Sequence, residues 1–151
     1  MRKDGKIMNK TGFLTILGTI GAFISSLFGG WSAALTTLTI FMGIDLITGW
    51  AVAGVFHNSQ KSETGALDSQ AGLKGLIKKG MMLLIVLIAT RLDLVIGSNF
   101  IKDAVIIAFI ANETISITEN AGLMGIPIPS VIVNAIDVLR RQSEKSDKND
   151  K

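Results

Sequence analysis

The chain has 151 residues, no cysteine, 48% hydrophobic and 18% charged residues, and a formal charge of +3. That length holds one compact unit rather than two ordinary domains. The missing cysteines exclude a disulfide framework, a thiolate metal site and a lipidated N-terminal cysteine. The small positive charge is spread over the termini and loops, which argues against a nucleic-acid-binding face and fits cations that flank a membrane.

The arrangement of the charges then decides the class. Residues 1–10 carry Arg2, Lys3, Lys6 and Lys10 against Asp4, and from Thr11 to Phe56 the only charged residue is Asp45. A window of that length should hold about eight charges at the average density. A soluble helix or strand needs a wetted face, so this stretch predicts a membrane-embedded helical hairpin over 11–56. Two spans of roughly 20 apolar residues fit within it. A basic start followed by an apolar run also resembles a secretory signal, but the apolar character continues past Trp31 with no small-residue cleavage site before polar sequence. The reading is a retained first helix near Gly12–Gly29, a tight turn at Gly29-Gly30, and a second helix near Trp31–Phe56.

Residues 57–75 are polar and glycine-bearing and read as a cytoplasmic loop, which includes the lone histidine, His57. Residues 76–120 supply two further spans: one from Leu76 to about Val95, and a shorter one from Ala104 to about Asn120 that turns polar toward its end. A three-span chain with a re-entrant final segment is the alternative. Within 121–141 the prolines of Gly125-Ile126-Pro127-Ile128-Pro129 break the chain. An amphipathic helix from Pro129 to Arg141 follows, with Ile132, Ala135, Ile136 and Leu139 on one face, suited to a membrane surface or a partner. The charged tail 142–151 has no apolar residue and is expected to be disordered. The fold class is therefore all-α and polytopic, with four transmembrane helices and a C-terminal amphipathic helix.

Basic residues orient this arrangement. They cluster at both termini and around the central loop, at Lys61, Lys74, Lys78 and Lys79, whereas the link between spans three and four has only Lys102. The positive-inside rule places both termini and the central loop in the cytoplasm.

Several polar groups then fall at membrane depth. Counting at about 1.5 Å per residue, Asp45 lies roughly 16 Å in from Phe56, Arg91 about 18 Å from Lys79, and Glu113 about 15 Å from Asp103. Each is costly alone in lipid, so mutual pairing is expected, Asp45 with Arg91 first. Two readings stand: the groups line a wet path in an assembly, or they fix helix packing. Asp93 or Glu113, if protonated, could also relay protons. In the fourth segment Glu113, Ser116 and Asn120 recur at helical spacing with Asn112 and Glu119 alongside, a polar stripe that must face protein or water. Such a stripe suits the bundle interior or a subunit surface. In the first span Gly18, Gly21, Ala22, Ser25, Ser26 and Gly29 form a face of small residues, and Gly49 with Ala53 offers another in span two. Small faces let helices approach closely in a membrane.

The sequence lacks a nucleophile–histidine–acid set, a metal cluster and a P-loop, so neither an enzyme nor a cofactor is expected.

These residues resemble the toxin-secretion/phage-lysis holin family of Gram-positive bacteria and their phages. The resemblance runs through Asp45-Leu46-Ile47-Thr48-Gly49, Ser69-x-x-Gly72-x-x-Gly75-x-x-Lys78-Lys79, Leu92-Asp93, and Asn112-Glu113-x-x-Ser116-Ile117-x-Glu119-Asn120 with the proline block after it. It spans about residues 31–140. It implies a homo-oligomer in the lipid bilayer of the bacterial cytoplasmic membrane that opens lesions at a set time. An endolysin or a secreted toxin passes as cargo without stable binding. Some holins also use a longer form as an inhibitor, which makes Met8 a candidate second start; the alternative is an ordinary internal methionine. The competing functions are a small channel or transporter built on Asp45, Arg91 and Glu113, and a structural membrane partner that anchors a complex through its tail.

Overall fold

The computed structural model describes residues 4–57 and 69–138. It is all-helical over those residues: α1 (Asp4–Leu27), α2 (Ala33–Gly54), α3 (Ser69–Ile96), α4 (Phe100–Leu123) and a short α5 over 130–138. Part of the central loop, the last residues of the amphipathic segment and the charged tail lie outside the described residues.

The helices run further than apolar character alone suggests. α1 begins at Asp4 rather than near Gly12, and α3 begins at Ser69 rather than at Leu76. Charged and polar residues that stay wet can continue a helix whose apolar part lies deeper, because lysine and glutamine are good helix formers. α4 likewise starts four residues ahead of Ala104, at Phe100, and ends at Leu123. There Gly125 adopts φ 76, a left-handed conformation open to glycine, and the Ile126 N–H closes back on the Ala121 carbonyl at 3.0 Å. Residues 126–129, which include both prolines, are not helical and lead into α5.

The chain divides into two units, Met1–Ser32 and Ala33–Lys151. The first holds α1, whose side chains from Lys10 to Ile24 are exposed, among them Phe13, Leu14 and Phe23. Its hydroxyls bond within the helix: Thr15 donates to the Thr11 carbonyl and Thr19 to the Thr15 carbonyl, each at 2.9 Å. Back-bonding of this kind satisfies a hydroxyl where water is absent.

In the second unit α4 packs against both α2 and α3, and α2 touches α3 less extensively. The buried positions repeat at steps of three and four: Leu35, Leu38, Met42 and Asp45 on α2, with Val52 seven residues further, and Lys79, Met82, Val86, Ala89 and Asp93 on α3. Ile106, Glu113 and Asn120 recur every seven residues on α4. This is the seam of helices crossing at a small angle. Directions follow from the contacts. Lys79 meets Glu113, and Asp93 meets Ile101 and Lys102, so α3 and α4 are antiparallel. Lys79 meets Asp45, and a Cβ on Gly72 would lie 3.9 Å from the Trp50 indole nitrogen, so α2 and α3 are antiparallel too.

This bundle departs from a soluble one in polarity, with polar and charged groups sharing an otherwise apolar interior and large apolar side chains outside. Its interior holds Asp45, Lys79, Thr90, Asp93, Glu113 and Asn120. Its exterior carries large apolar side chains: Ile47 is 67% exposed on α2, Ile88 58% on α3 and Ile107 55% on α4. Two helical segments, Lys10–Leu27 and Ala33–Gly54, are long and apolar enough to cross a membrane by length and composition.

Candidate functional site

Three helices contribute to one charged centre. The Lys79 ammonium lies 2.8 Å from Asp45 Oδ2 and also donates to Glu113 Oε2. The Asn120 amide donates to Asp45 Oδ1 at 3.1 Å and to the Thr48 hydroxyl at 3.0 Å. Thr48 in turn donates to the Asp45 carbonyl at 3.1 Å. Asp45, Lys79, Glu113 and Asn120 are all buried. A Cβ on Gly49 would lie 3.8 Å from the Asn120 amide nitrogen, so the small residue at 49 leaves room for the amide to reach α2.

This centre sits deep in the bundle. Lys79 lies ten residues into α3, about 15 Å from its start, and Glu113 lies ten residues before the end of α4, again about 15 Å. One ammonium between two carboxylates is tenable there because every buried polar side-chain atom among the described residues has a partner.

A third buried carboxylate is satisfied differently. Asp93 accepts the Ser98 hydroxyl and the Ile101 N–H (3.1 Å) on Oδ1, and the Lys102 N–H (2.8 Å) on Oδ2. The first N–H groups of a helix have no partner inside it, and Asn99 at the α4 N-cap makes no side-chain capping bond. Asp93 does that work from the preceding helix. Gly97, at φ 77, makes the turn tight enough for it.

The structure distributes the sequence-predicted polar residues over three locations. Asp45, Glu113 and Asn120 meet in the centre, and Asp93 closes the α3–α4 turn. Arg91, Asn112 and Glu119 are exposed, and Ser116 is half-buried. The expected Asp45–Arg91 pair does not form: Arg91 is twelve residues beyond Lys79 on α3, about 18 Å along the axis from the level of Asp45. Arg91 makes no ion pair among the described residues. Starting α3 at Leu76 put Lys79 at the membrane edge and Arg91 at its middle. The helix starts seven residues earlier and moves both.

Lys79 and Thr48 are therefore the functional candidates that sequence reasoning missed. The signal was present for Lys79, which shares the Met82, Val86, Ala89 and Asp93 face and not the exposed face of Lys74 and Lys78. Of the small residues, Gly18, Gly21, Ala22 and Ser26 are exposed on α1, Ser25 is half-buried, Gly29 lies in the turn after it, and Ala53 is buried on α2.

The centre draws together residues from three of the four separated motifs, Asp45, Thr48 and Gly49, then Lys79, then Glu113 and Asn120, while Leu92-Asp93 lies at the α3–α4 turn. Comparisons with known proteins agree on what this pattern belongs to. A model described as the bacteriophage holin family matches residues 22–141. An uncharacterised protein of Listeria monocytogenes is 38% identical over 138 residues, covering 90% of this chain and 92% of its own length. An uncharacterised 14.9 kDa protein of Clostridium perfringens is 32% identical over 126 residues, covering 82% of this chain and 89% of its own. A protein of Bacillus phage phi105 named a probable holin is 32% identical over 109 residues, 71% of this chain and 75% of that one. No solved structure matches the chain. With 22–141 matched, a stretch that takes in the whole charged centre and the Asp93 turn, the chain belongs to the bacteriophage holin family.

Proposed function

We propose that this chain acts as a holin, a non-catalytic protein that assembles in the bacterial cytoplasmic membrane and opens lesions through which an endolysin or a secreted toxin passes. The observation that carries this reading is the family match over residues 22–141, joined by the phage relative named a probable holin. The bundle's surface supports membrane residence: large apolar side chains outside, with the ions paired inside, are what a hydrocarbon solvent selects. In this reading α1 to α4 are four spans, both termini are cytoplasmic, and α5 lies along the membrane surface. Burying Lys79 leaves the orientation unchanged, because Lys61, Lys74 and Lys78 still outnumber Lys102 at the opposite end. The charged centre holds α2, α3 and α4 within one subunit, so the assembly is built from bundles that are already folded.

A second reading, a small channel or transporter, draws on the same centre, since ions buried at depth are what a solute or proton path would use. Inducible expression with and without a cytoplasmic endolysin separates the two, following turbidity and a potential-sensitive dye. A holin gives an abrupt loss of potential after a delay, and lysis only when the endolysin is present. Solute flux across membranes that retain the endolysin, even after an uncoupler is added, overturns the holin reading in favour of the second.

A further inference from the structure

The outward side of α4 carries a polar group with no side-chain partner among the described residues. Ile106, Glu113 and Asn120 point into the bundle. At 100° per residue the outward side of α4 runs from Ala104, Ile115 and Gly122, opposite the centre, through Ala108 and Glu119 to Asn112, about 100° from Glu113. Five of these six are exposed and Ile115 is half-buried. Asn112 is twelve residues from Phe100 and eleven from Leu123, so it sits near the middle of the helix, about 16 to 18 Å from either end. Its amide has two donors and two acceptor positions and makes no side-chain hydrogen bond among the described residues, whereas the Asn120 amide nitrogen donates to both Asp45 and Thr48. The surface around it is low: Ala104 and Ala108 add only a methyl group each, and a Cβ on Gly122 would meet nothing within 4 Å.

We infer that this face of α4 is the contact between two copies of the chain, closed by a hydrogen bond from Asn112 to Asn112 of the second copy. The inference deepens the holin reading and rests on it, because it takes α4 to lie in lipid. Lipid tails offer no partner for an amide, so a mid-depth asparagine on the outer surface needs a polar group from another protein. A second copy inserted with the same topology carries its own Asn112 at the same depth. Two parallel copies related by an axis along the membrane normal bring the two amides together, and an amide is its own complement in hydrogen bonding. The alanines let the backbones come close enough for the bond. Glu119 shares the face but lies four residues before the end of α4, about 6 Å, where water screens its repulsion from the second copy's carboxylate.

The chain has no cysteine, so disulfide trapping needs only one substitution at a time. Ala108→Cys and, as a control on the exposed side of α2, Ile47→Cys are expressed as full chains and oxidised in isolated membranes. Ala108→Cys should give a covalent dimer and Ile47→Cys should not. Adding Asn112→Leu to Ala108→Cys should lower the dimer yield about three- to tenfold, the range for one interhelical hydrogen bond in a membrane. Asn112→Gln, which keeps the amide, should preserve it. Equal trapping at both positions, or a yield at Cys-substituted Ala108 that ignores Asn112→Leu, overturns the interface. The same strains carry the endolysin assay. Endolysin release without trapping at Ala108 defeats this interface and leaves the holin reading standing; trapping without release does the reverse.

Discussion

Two buried carboxylate sites in one bundle are held in opposite ways. At the centre, Asp45 and Glu113 depend on side chains from other helices, with Lys79 34 residues from Glu113 and Asn120 75 residues from Asp45. At the α3–α4 turn, Asp93 depends on Ser98, Ile101 and Lys102, five to nine residues ahead, and two of those donors are backbone N–H groups. The first arrangement joins three helices, but both of its ion pairs run through one ammonium. The second fixes only a local turn, yet most of its donors cannot be removed by changing a side chain. Long-range fixation here is strong and brittle, and local fixation is narrow and redundant.

The largest effect should come from breaking the brittle side of that contrast. Lys79→Met leaves two buried carboxylates facing each other without a cation. Removing one partner of a buried ion pair costs about 3–5 kcal/mol. The expected result is a large fall in stability of the purified protein in detergent, measured by denaturant titration, with reduced accumulation in membranes. If the loss comes from the unpaired charges, Lys79→Met combined with Asp45→Asn and Glu113→Gln should recover most of it, since a neutral replacement of a buried ion cluster costs little. A triple variant no more stable than the single one would show that the ammonium acts through packing.

A smaller loss should follow Asn120→Leu. Asp45 Oδ1 and the Thr48 hydroxyl would each lose the amide donor, and removing a hydrogen bond from buried groups of this kind costs about 1–3 kcal/mol. Asn120→Asp should be worse than Asn120→Leu in the same titration, because it adds a third carboxylate to the centre. The reverse order would mean that the pocket around Asn120 tolerates charge but not bulk.

The redundant site should yield less than Lys79 does. Asp93→Ala frees the N–H groups of Ile101 and Lys102, and the α4 start should fray, read as faster amide exchange over the first turn of α4 with the centre still protected. Asp93→Asn should keep part of that protection through its one remaining acceptor oxygen. Exchange that rises equally in both halves of α4 would show that the turn and the centre unfold as one unit.

The same contrast explains how much the sequence could tell. The all-helical class and the two long apolar helices of the charge-poor stretch were legible because they are written in residue type over long windows. Asp45, Glu113 and Asn120 were legible as polar residues out of place among apolar ones. Their common partner was not, because Lys79 stands next to Lys78 in a basic stretch and looks like a flanking cation. Only the position of the α3 start, which the polar residues 69–75 conceal, moves Lys79 to the level of Asp45. The two roles on α4 were hidden for a related reason. Asn112 and Glu113 are neighbours in sequence and lie about 100° apart on a helix, so one stripe on paper becomes two faces. The cap by Asp93 was within reach of the sequence, because Gly97 marks a turn and the carboxylate lies a few residues before it.

The smallest expected effect is also the sharpest check on which cation matters. Arg91 and Lys79 lie on the same helix, and depth counted from Leu76 favours Arg91 as the partner of Asp45. The structure leaves Arg91 exposed near the far end of α3, five residues before Ile96. In the proposed four-span arrangement that is about 8 Å, within reach of a long side chain extending to the membrane surface. Arg91→Leu should therefore change stability by less than about 0.5 kcal/mol, as for exposed substitutions away from packed or paired groups. Run beside Lys79→Met in the same detergent titration, it should differ by several kcal/mol. If the two losses were alike, Arg91 would have to reach a buried acidic group, and the register of α3 against α2 and α4 would be shifted from the one described.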